Sequence, residues 1–175
     1  MISAYLDTNV ISGLAKGEYS DDVAAALIAL TALAKDGRID LRTSEIAADE
    51  LAMIPARYRR QHYVIYNLIK NVAVPAAYRA PQQIVARGGR AMSWLRIPTR
   101  NMALLRELEA LIPAKRNPEK VQARNRDIEH LHRFTQVGLD YFLTEDHRSI
   151  LCHKARLLAL GIKAVCSLEL LAAVK

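Results

Sequence analysis

Near the start of the sequence stands Ile2-Ser3-Ala4-Tyr5-Leu6-Asp7-Thr8-Asn9-Val10, an apolar run that stops on an acid. Apolar side chains recur at positions 2, 4 and 6, and the run contains neither glycine nor proline, which predicts a first β-strand. Asp7 then lies at the carboxyl end of that strand. In open α/β sheets this end faces the crevice where ligands bind, so a carboxylate followed by Thr8 and Asn9 is well placed to hold a metal ion. The alternative is an Asx-turn in which Asp7 only ends the strand.

Apolar strands alternate with amphipathic helices along the rest of the chain. Further extended segments are predicted at Ile39-Asp40-Leu41, at a short piece that ends at Pro75, at Tyr141-Phe142-Leu143 and from Ile162 to Cys166. Helices are predicted at 10–17, 21–35, after Ser44 as far as Pro55, at 57–69, 102–112, from Asn117 to Gly138, and at 149–160 and 168–174. This alternation predicts an α/β fold with a parallel or mostly parallel central sheet and helices on both faces, a three-layer α/β/α arrangement. The 175 residues are enough for one domain, 1–175, and too few to favour two.

The composition indicates a globular protein with a basic surface. Apolar residues make up 51% of the chain, and 25 Lys and Arg against 18 Asp and Glu give a formal charge of +7. A basic excess attracts polyanions, so the cluster of Arg57, Arg59 and Arg60 suggests contact with an RNA phosphate backbone, with a solvated helix face as the alternative. No signal-peptide pattern or membrane-length apolar stretch is visible, so we expect a soluble cytoplasmic protein. The two cysteines are expected to be buried free thiols.

Three further acids occupy positions from which they could join Asp7. Asp146 follows the strand Tyr141-Phe142-Leu143, and Glu50 lies on the helix after Ser44. Asp127 falls at helical spacing with Leu131 and Phe134, so it shares a face that should point into the core. Because burying an unpaired carboxylate costs roughly 2–7 kcal/mol, such an acid should be neutral, paired or bound to a cation.

Four carboxylates that converge on one pocket repel one another, and a hard divalent cation such as Mg²⁺ or Mn²⁺ relieves this repulsion. A cation held in this way suits the hydrolysis of phosphodiester bonds, because it stabilises charge on phosphoryl oxygens and lowers the pKa of a bound water. Asp7, Glu50, Asp127 and Asp146 are therefore the candidate metal ligands and catalytic residues. Glu45 competes with Glu50 for the second position, although a helix start is also where an acid that only stabilises the helix dipole belongs.

The same residues resemble the ordered motifs of PIN domains. These motifs are Leu6-Asp7-Thr8-Asn9-Val10, Ser44 with Glu50-Leu51, Asp127 with Leu131, and Gly138-Leu139-Asp140-Tyr141-Phe142-Leu143-Thr144-Glu145-Asp146. The resemblance implies a Mg²⁺- or Mn²⁺-dependent ribonuclease in which Asp7, Glu50, Asp127 and Asp146 form the acidic site and Asn9 and Thr144 orient it. It further implies a toxin of the VapBC type, with a cognate antitoxin protein as partner and a homodimer as assembly.

Other features bear on this resemblance. The interval between Glu50 and Asp127 is longer than in compact PIN domains, which predicts a helical insertion around 60–115. A phosphatase or phosphotransferase of the haloacid dehalogenase type would need a second aspartate where Asn9 stands, and a catalytically silent nucleic-acid-binding or scaffold protein is the remaining alternative. His130 and His132 are expected to be surface residues, Glu145 to face solvent and Trp94 to pack in the core.

Overall fold

A computed structural model describes residues 1–70, 74–75, 99–112 and 118–175. The described residues form a parallel β-sheet of five strands in the order β3-β2-β1-β4-β5. The strands are β1 (Ile2–Leu6), β2 (Ile39–Thr43), β3 (Val74–Pro75), β4 (Tyr141–Leu143) and β5 (Ala164–Val165). The helices are α1 (Thr8–Lys16), α2 (Asp21–Lys35), α3 (Glu45–Met53), α4 (Ala56–Lys70), α5 (Thr99–Leu111), α6 (Pro118–Val137), α7 (Lys154–Ala159) and α8 (Ser167–Val174), with a 3₁₀ turn at Leu151–His153.

The first strand lies at the centre of the sheet. β1 pairs with β2 on one side, where Ile2 is level with Ile39, and with β4 on the other, where Leu6 is level with Leu143. The chain builds outward through β2 and β3 and then returns to β1 to add β4 and β5. The gap between the carboxyl ends of β1 and β4 is therefore the switch point of the sheet, where α/β folds bind their ligands.

Two separate apolar cores cover the two faces of the sheet. Ala4 and Leu6 pack in a core with residues of α2 and α8, whereas Tyr5 packs in a second core with residues of α5 and α6. Neighbouring side chains of a strand point to opposite faces, so this division confirms the predicted helix–sheet–helix layering. Tyr5, on the face opposite Ala4 and Leu6, is fully buried because a parallel sheet is covered on both faces.

The last third of the chain departs from the predicted boundaries. The expected helix over 149–160 begins only as the 3₁₀ turn, because the Asp146 carboxylate accepts the amide hydrogens of Arg148 and Ser149 and holds the preceding residues in a tight turn. The strand expected from Ile162 to Cys166 is limited to β5. The α8 helix begins at Ser167, one residue before the predicted start, and Cys166 is its N-cap residue, whose amide donates to Glu169.

Some expectations concern exposure or lie outside the described residues. Both cysteines are free, but Cys152 is exposed and Cys166 only partly buried, so the expected burial of both thiols is wrong. Trp94, most of the predicted insertion around 60–115 and the side chain of Glu45 lie outside the described residues. Along the described residues, no helix has both the length and the apolar character that a membrane crossing requires.

Candidate functional site

Asp7 lies at the switch point, directly after β1. Its amide donates to the carbonyl of Leu143 in β4 (3.0 Å), and the residue is buried, with only 4% relative exposure. The fully buried Thr144 donates its hydroxyl to Asp7 Oδ2 (2.8 Å). Within the described part of the chain, the Asp7 side chain makes no capping hydrogen bond to α1. The carboxylate therefore contacts the end of the neighbouring strand through Thr144.

Thr144 joins the ends of β1 and β4 into one polar cluster. Besides donating to Asp7, its Oγ1 accepts a hydrogen bond from Asn9 Nδ2 (2.8 Å) and one from the amide of Asp146 (3.2 Å). Asn9 Oδ1 in turn accepts the amide of Glu145 (3.3 Å). Asn9 and Thr144, to which the resemblance assigns an orienting role, are thus hydrogen-bonded to one another, and Thr144 contacts the buried acid directly.

A histidine that the sequence assigned to the surface connects the two principal acids. His130, on α6, is 1% exposed, and its Nε2 lies 3.2 Å from Glu50 Oε2 and 3.9 Å from Asp7 Oδ1. The same nitrogen is 3.2 Å from Thr8 Oγ1, and Nδ1 is 2.8 Å from the Tyr5 hydroxyl oxygen. The expectation that His130 is a surface residue is wrong, because α6 presents it to the end of the sheet rather than to solvent.

Both ring nitrogens of His130 have hydrogen-bond partners. The Tyr5 hydroxyl, which donates to Ser44 Oγ (2.6 Å), also lies within hydrogen-bond distance of Nδ1. A carboxylate can only accept, so Nε2–H donates to Glu50. The imidazole therefore lies beside two acids, Glu50 and Asp7.

Burial and charge shift the pKa values of these groups in opposite directions. Burial raises the pKa of Asp7 above its usual range, although the charge of His130 and the hydrogen bond from Thr144 oppose the shift. Burial alone would raise the pKa of Glu50, but the hydrogen bonds from His130 and Thr8 outweigh it and the pKa falls. Burial would lower the pKa of His130, but its hydrogen bond to Glu50 and the charges of both acids raise it. The contact between Glu50 and His130 therefore favours the charged form of both groups, whereas burial disfavours the charged form of Asp7.

The other two predicted acids lie nearer the edge of this cluster. Asp127 is partly exposed on α6, and its charge makes a smaller contribution to the raised pKa of His130. Asp146 is linked to Asp7 through Thr144, while its Oδ1 accepts two amides of the following turn. The structure thus brings Asp7 and Glu50 together around one imidazole, and it connects Asp127 and Asp146 to them less directly.

Glu145, beside Asp146, is buried against the start of α8, whereas the sequence predicted that it faces solvent. Its side chain is only 3% exposed, and Oε1 accepts the amide of Ser167 at the start of α8 (2.7 Å). The expectation that Glu145 faces solvent is wrong, because the first amides of a helix need an acceptor and Glu145 supplies one.

The donor chemistry of the cluster can be compared with the needs of a divalent cation. Among the described residues, no group of three or more His, Cys, Asp or Glu side chains is arranged to hold a metal ion. The oxygens of Asp7 and Glu50 are nevertheless the donor type that Mg²⁺ and Mn²⁺ prefer, and the raised pKa of Asp7 marks a buried carboxylate that a cation would stabilise. The residues present fit such an ion in chemical type.

The basic cluster on α4 separates into two kinds of arginine. Arg57 is exposed and its guanidinium lies 4.7 Å from the centre of the Tyr58 ring, and Arg60 is exposed as well. Arg59 instead donates to the carbonyls of Ala52 and Ile54 at the end of α3. Arg59 therefore satisfies a helix end, and Arg57 and Arg60 are the members that face solvent.

The α4 helix packs against α1, which leads away from Asp7. The buried His62 of α4 lies with Nε2 3.3 Å from Ser12 Oγ of α1, and its Nδ1–H donates to the carbonyl of Tyr58 (2.9 Å). The exposed arginines thus belong to a helix that rests on the first helix of the site.

No known family model matches this chain, and no curated protein has a significantly similar sequence. Support for a function comes instead from the residues that meet at the switch point.

Proposed function

We propose that this chain is a Mg²⁺- or Mn²⁺-dependent endoribonuclease of the PIN type. The observation that carries the proposal is the meeting of Asp7 and Glu50 at the buried His130, at the carboxyl edge of a parallel sheet. In this proposal Asp7 and Glu50 hold the cation with the help of Asp127 and Asp146. A bound divalent cation stabilises charge on the phosphoryl oxygens and lowers the pKa of a water that attacks the phosphodiester.

The chain's own residues supply orientation. Thr144 fixes Asp7 Oδ2 through a hydrogen bond of 2.8 Å, and Asn9 fixes the hydroxyl of Thr144 in turn. Because these groups are held by neighbouring strand ends, the carboxylate is set in place before any ligand arrives, which is the arrangement that lowers reorganisation during a reaction. The formal charge of +7 favours association with a polyanion.

We also propose the role that the resemblance to PIN domains implies. In that role the protein is a cytoplasmic toxin ribonuclease, pairs with a cognate antitoxin protein and forms a homodimer. A neighbouring reading frame for a small DNA-binding protein would support this part of the proposal.

A catalytically silent RNA-binding or scaffold protein is the second candidate. The observation that favours it is the buried imidazole of His130, which already takes a hydrogen-bonding position on Glu50 and lies 3.9 Å from Asp7 Oδ1. The two candidates differ in whether RNA is cut.

The test of the proposal is incubation of the purified protein with total RNA in Mg²⁺, in Mn²⁺ and in EDTA, followed by mapping of cut sites. We expect defined cuts in either metal and none in EDTA, with loss of cleavage in Asp7→Asn and Glu50→Gln. Asp21→Asn, an exposed acid at the start of α2, is the matched control and should cut as the parent does. RNA that is bound but left intact in both metals would refute the nuclease and favour the silent candidate.

The role of the arginines in RNA binding has its own test. Neutralising Arg57 and Arg60 to Gln should weaken RNA binding and reduce the slope of log affinity against log salt by about 0.7 for each phosphate of single-stranded RNA that the variant no longer neutralises. Arg57→Gln and Arg60→Gln are also measured singly, and Arg59→Gln is the control for each, because it removes one charge from a side chain that contacts carbonyls at the end of α3. An unchanged slope in the double variant would make this face a solvated surface or an antitoxin-binding surface.

A further inference from the structure

His130 connects three parts of the chain that are far apart in sequence. It lies on α6, and it contacts Glu50 of α3, Thr8 of α1 and Tyr5 of β1 through its two ring nitrogens. A ring that is bonded at both nitrogens cannot turn without breaking hydrogen bonds on both sides. The orientation of His130 is therefore shared between the site and the core.

The core side of this connection is rigid. Tyr5 is fully buried, its ring stacks on Phe142 of the neighbouring strand with 5.5 Å between ring centres, and Phe134 meets it edge-on. Its hydroxyl is held by Ser44 at the start of α3 (2.6 Å). Tyr5 thus gives His130 a fixed point inside the sheet.

The site side of the connection is the Glu50 carboxylate. Glu50 is partly exposed and its other oxygen is 3.8 Å from the half-buried Arg126, a weaker contact than the 3.2 Å to His130. A long side chain at a partly exposed position loses rotamer freedom only when a partner fixes it. His130 is placed to be such a partner, beside Thr8, which also hydrogen-bonds Glu50.

We propose that His130 is a positioning residue that, anchored by Tyr5, holds the Glu50 carboxylate beside Asp7. The inference rests on the proposed function in one respect, namely that these two acids hold a divalent cation. Removing an outer partner of a metal-binding carboxylate reduces metal affinity by about 10–100-fold in typical sites. The nitrogen that faces Glu50 should therefore matter more for cation affinity than the one that faces Tyr5.

Two amide substitutions of His130 distinguish the contribution of Nε2 from that of Nδ1. The Gln amide reaches the place of Nε2, so His130→Gln keeps a donor for Glu50, whereas the shorter Asn amide reaches only the place of Nδ1 and keeps the contact to Tyr5. We expect His130→Asn, which loses the donor to Glu50, to weaken Mn²⁺ binding by about 10-fold or more, measured by calorimetry. His130→Gln keeps that donor and loses only the anchor on Tyr5, so it should weaken Mn²⁺ binding less than His130→Asn does. His132→Asn on the same helix is the matched control, because its Nε2 has no hydrogen-bond partner among the described residues, and it should bind Mn²⁺ as the parent does.

A second measurement needs no metal. In EDTA, the shifts in melting temperature (Tm) of Tyr5→Phe and Glu50→Gln should be non-additive, since both act through His130, and they should become additive in the His130→Asn background. Additive shifts in the parent background, or equal Mn²⁺ affinities of the Gln and Asn variants where the parent binds Mn²⁺, would overturn the positioning role. A parent that binds no Mn²⁺ while the EDTA shifts remain non-additive would refute the proposed metal site and leave the positioning of Glu50 by His130 supported.

Discussion

The substitution Asp7→Asn tests whether the acid at the switch point carries an uncompensated charge. Asn has the same shape, and its side-chain oxygen can accept the Thr144 hydroxyl that now donates to Asp7 Oδ2 at 2.8 Å. The variant removes only the negative charge of Asp7. Burial disfavours this charge more strongly than His130 and Thr144 favour it, because the pKa of Asp7 is raised. We expect the metal-free variant to be more stable than the parent and unable to cleave RNA.

The size of this effect follows from the burial of the group. Each unit of pKa displacement corresponds to about 1.4 kcal/mol, and single substitutions typically change the free energy of unfolding by about 1 kcal/mol. In a domain of this size, a change of about 1 kcal/mol moves Tm by about 2–4 °C. We therefore expect Asp7→Asn to raise Tm by about 2–4 °C in EDTA at about pH 8.

The raised pKa of Asp7 also determines whether the stability of the parent rises or falls with pH. The pKa of Asp7 is higher in the folded protein than the value of about 3.9 in the unfolded chain, so the folded state binds this proton more tightly. The parent consequently loses stability as pH rises from the unfolded-state pKa through the folded-state pKa, and the Asn variant does not. The Tm difference between them should grow from about pH 4 to about pH 8.

Thermal melts of parent, Asp7→Asn and the control Asp21→Asn, each in EDTA and in saturating Mn²⁺, provide the assay. The parent should gain stability from the metal, and Asp7→Asn should gain less, because binding to the folded state alone raises Tm. The reasoning would be refuted if Asp7→Asn were less stable than the parent in EDTA at the higher pH and still showed the parent's full Mn²⁺ shift. Asp7 would then be a structural acid.

Three further substitutions test the surroundings of the site. Thr144→Val keeps the shape but removes hydrogen bonds to the buried Asp7 carboxylate, to the Asn9 amide and to the Asp146 backbone amide, so urea denaturation should show a destabilisation of about 1–3 kcal/mol that Thr144→Ser largely avoids; equal effects would contradict a role for the hydroxyl. Asp140→Ala removes the acceptor of the Ser3 amide and hydroxyl (both 2.8 Å) at an exposed position and should cost about 0.5–1 kcal/mol; because hydrogen bonds from Ser3 lower the pKa of Asp140, this contribution is present above about pH 4 and should vanish in melts at lower pH. Gly13→Ala places a methyl group on the ring of Tyr19 and should lower stability by about 1–3 kcal/mol, and an unchanged urea midpoint would show that the ring moves aside freely.

The sheet was predictable where local pattern and burial agree. Alternating apolar positions in β1, and the compact apolar run of β4, predict strands that the structure confirms as central neighbours. The boundaries after Asp146 were not predictable from apolar periodicity, because a side chain that accepts two backbone amides decides where the helix can begin. Competition of this kind between a side chain and the helix is invisible to a count of apolar spacings.

The positions of Asp7, Asn9 and Thr144 followed from the rule that parallel strands share one carboxyl edge, since all three lie within a few residues of strand ends. Glu50 lies on a helix, so the rule about strand ends does not say which residues it contacts. Its contact with His130 spans 80 positions of the sequence. A local pattern contains no information about such a pairing.

A signal for His130 was nevertheless present in the sequence. His130 lies three residues after Asp127 and directly before Leu131, so it belongs to the helix face that points toward the sheet. Tyr5 occupies an interior position of the central strand of a sheet covered on both faces, and a buried tyrosine hydroxyl needs a hydrogen-bond partner. A histidine on the covering helix is a side chain of the right reach and chemistry to supply one. Histidine generally prefers partly exposed positions, but His130 is buried because the buried Tyr5 hydroxyl needs a hydrogen-bond partner. The contact with Tyr5 also places the other ring nitrogen beside Glu50 of the site.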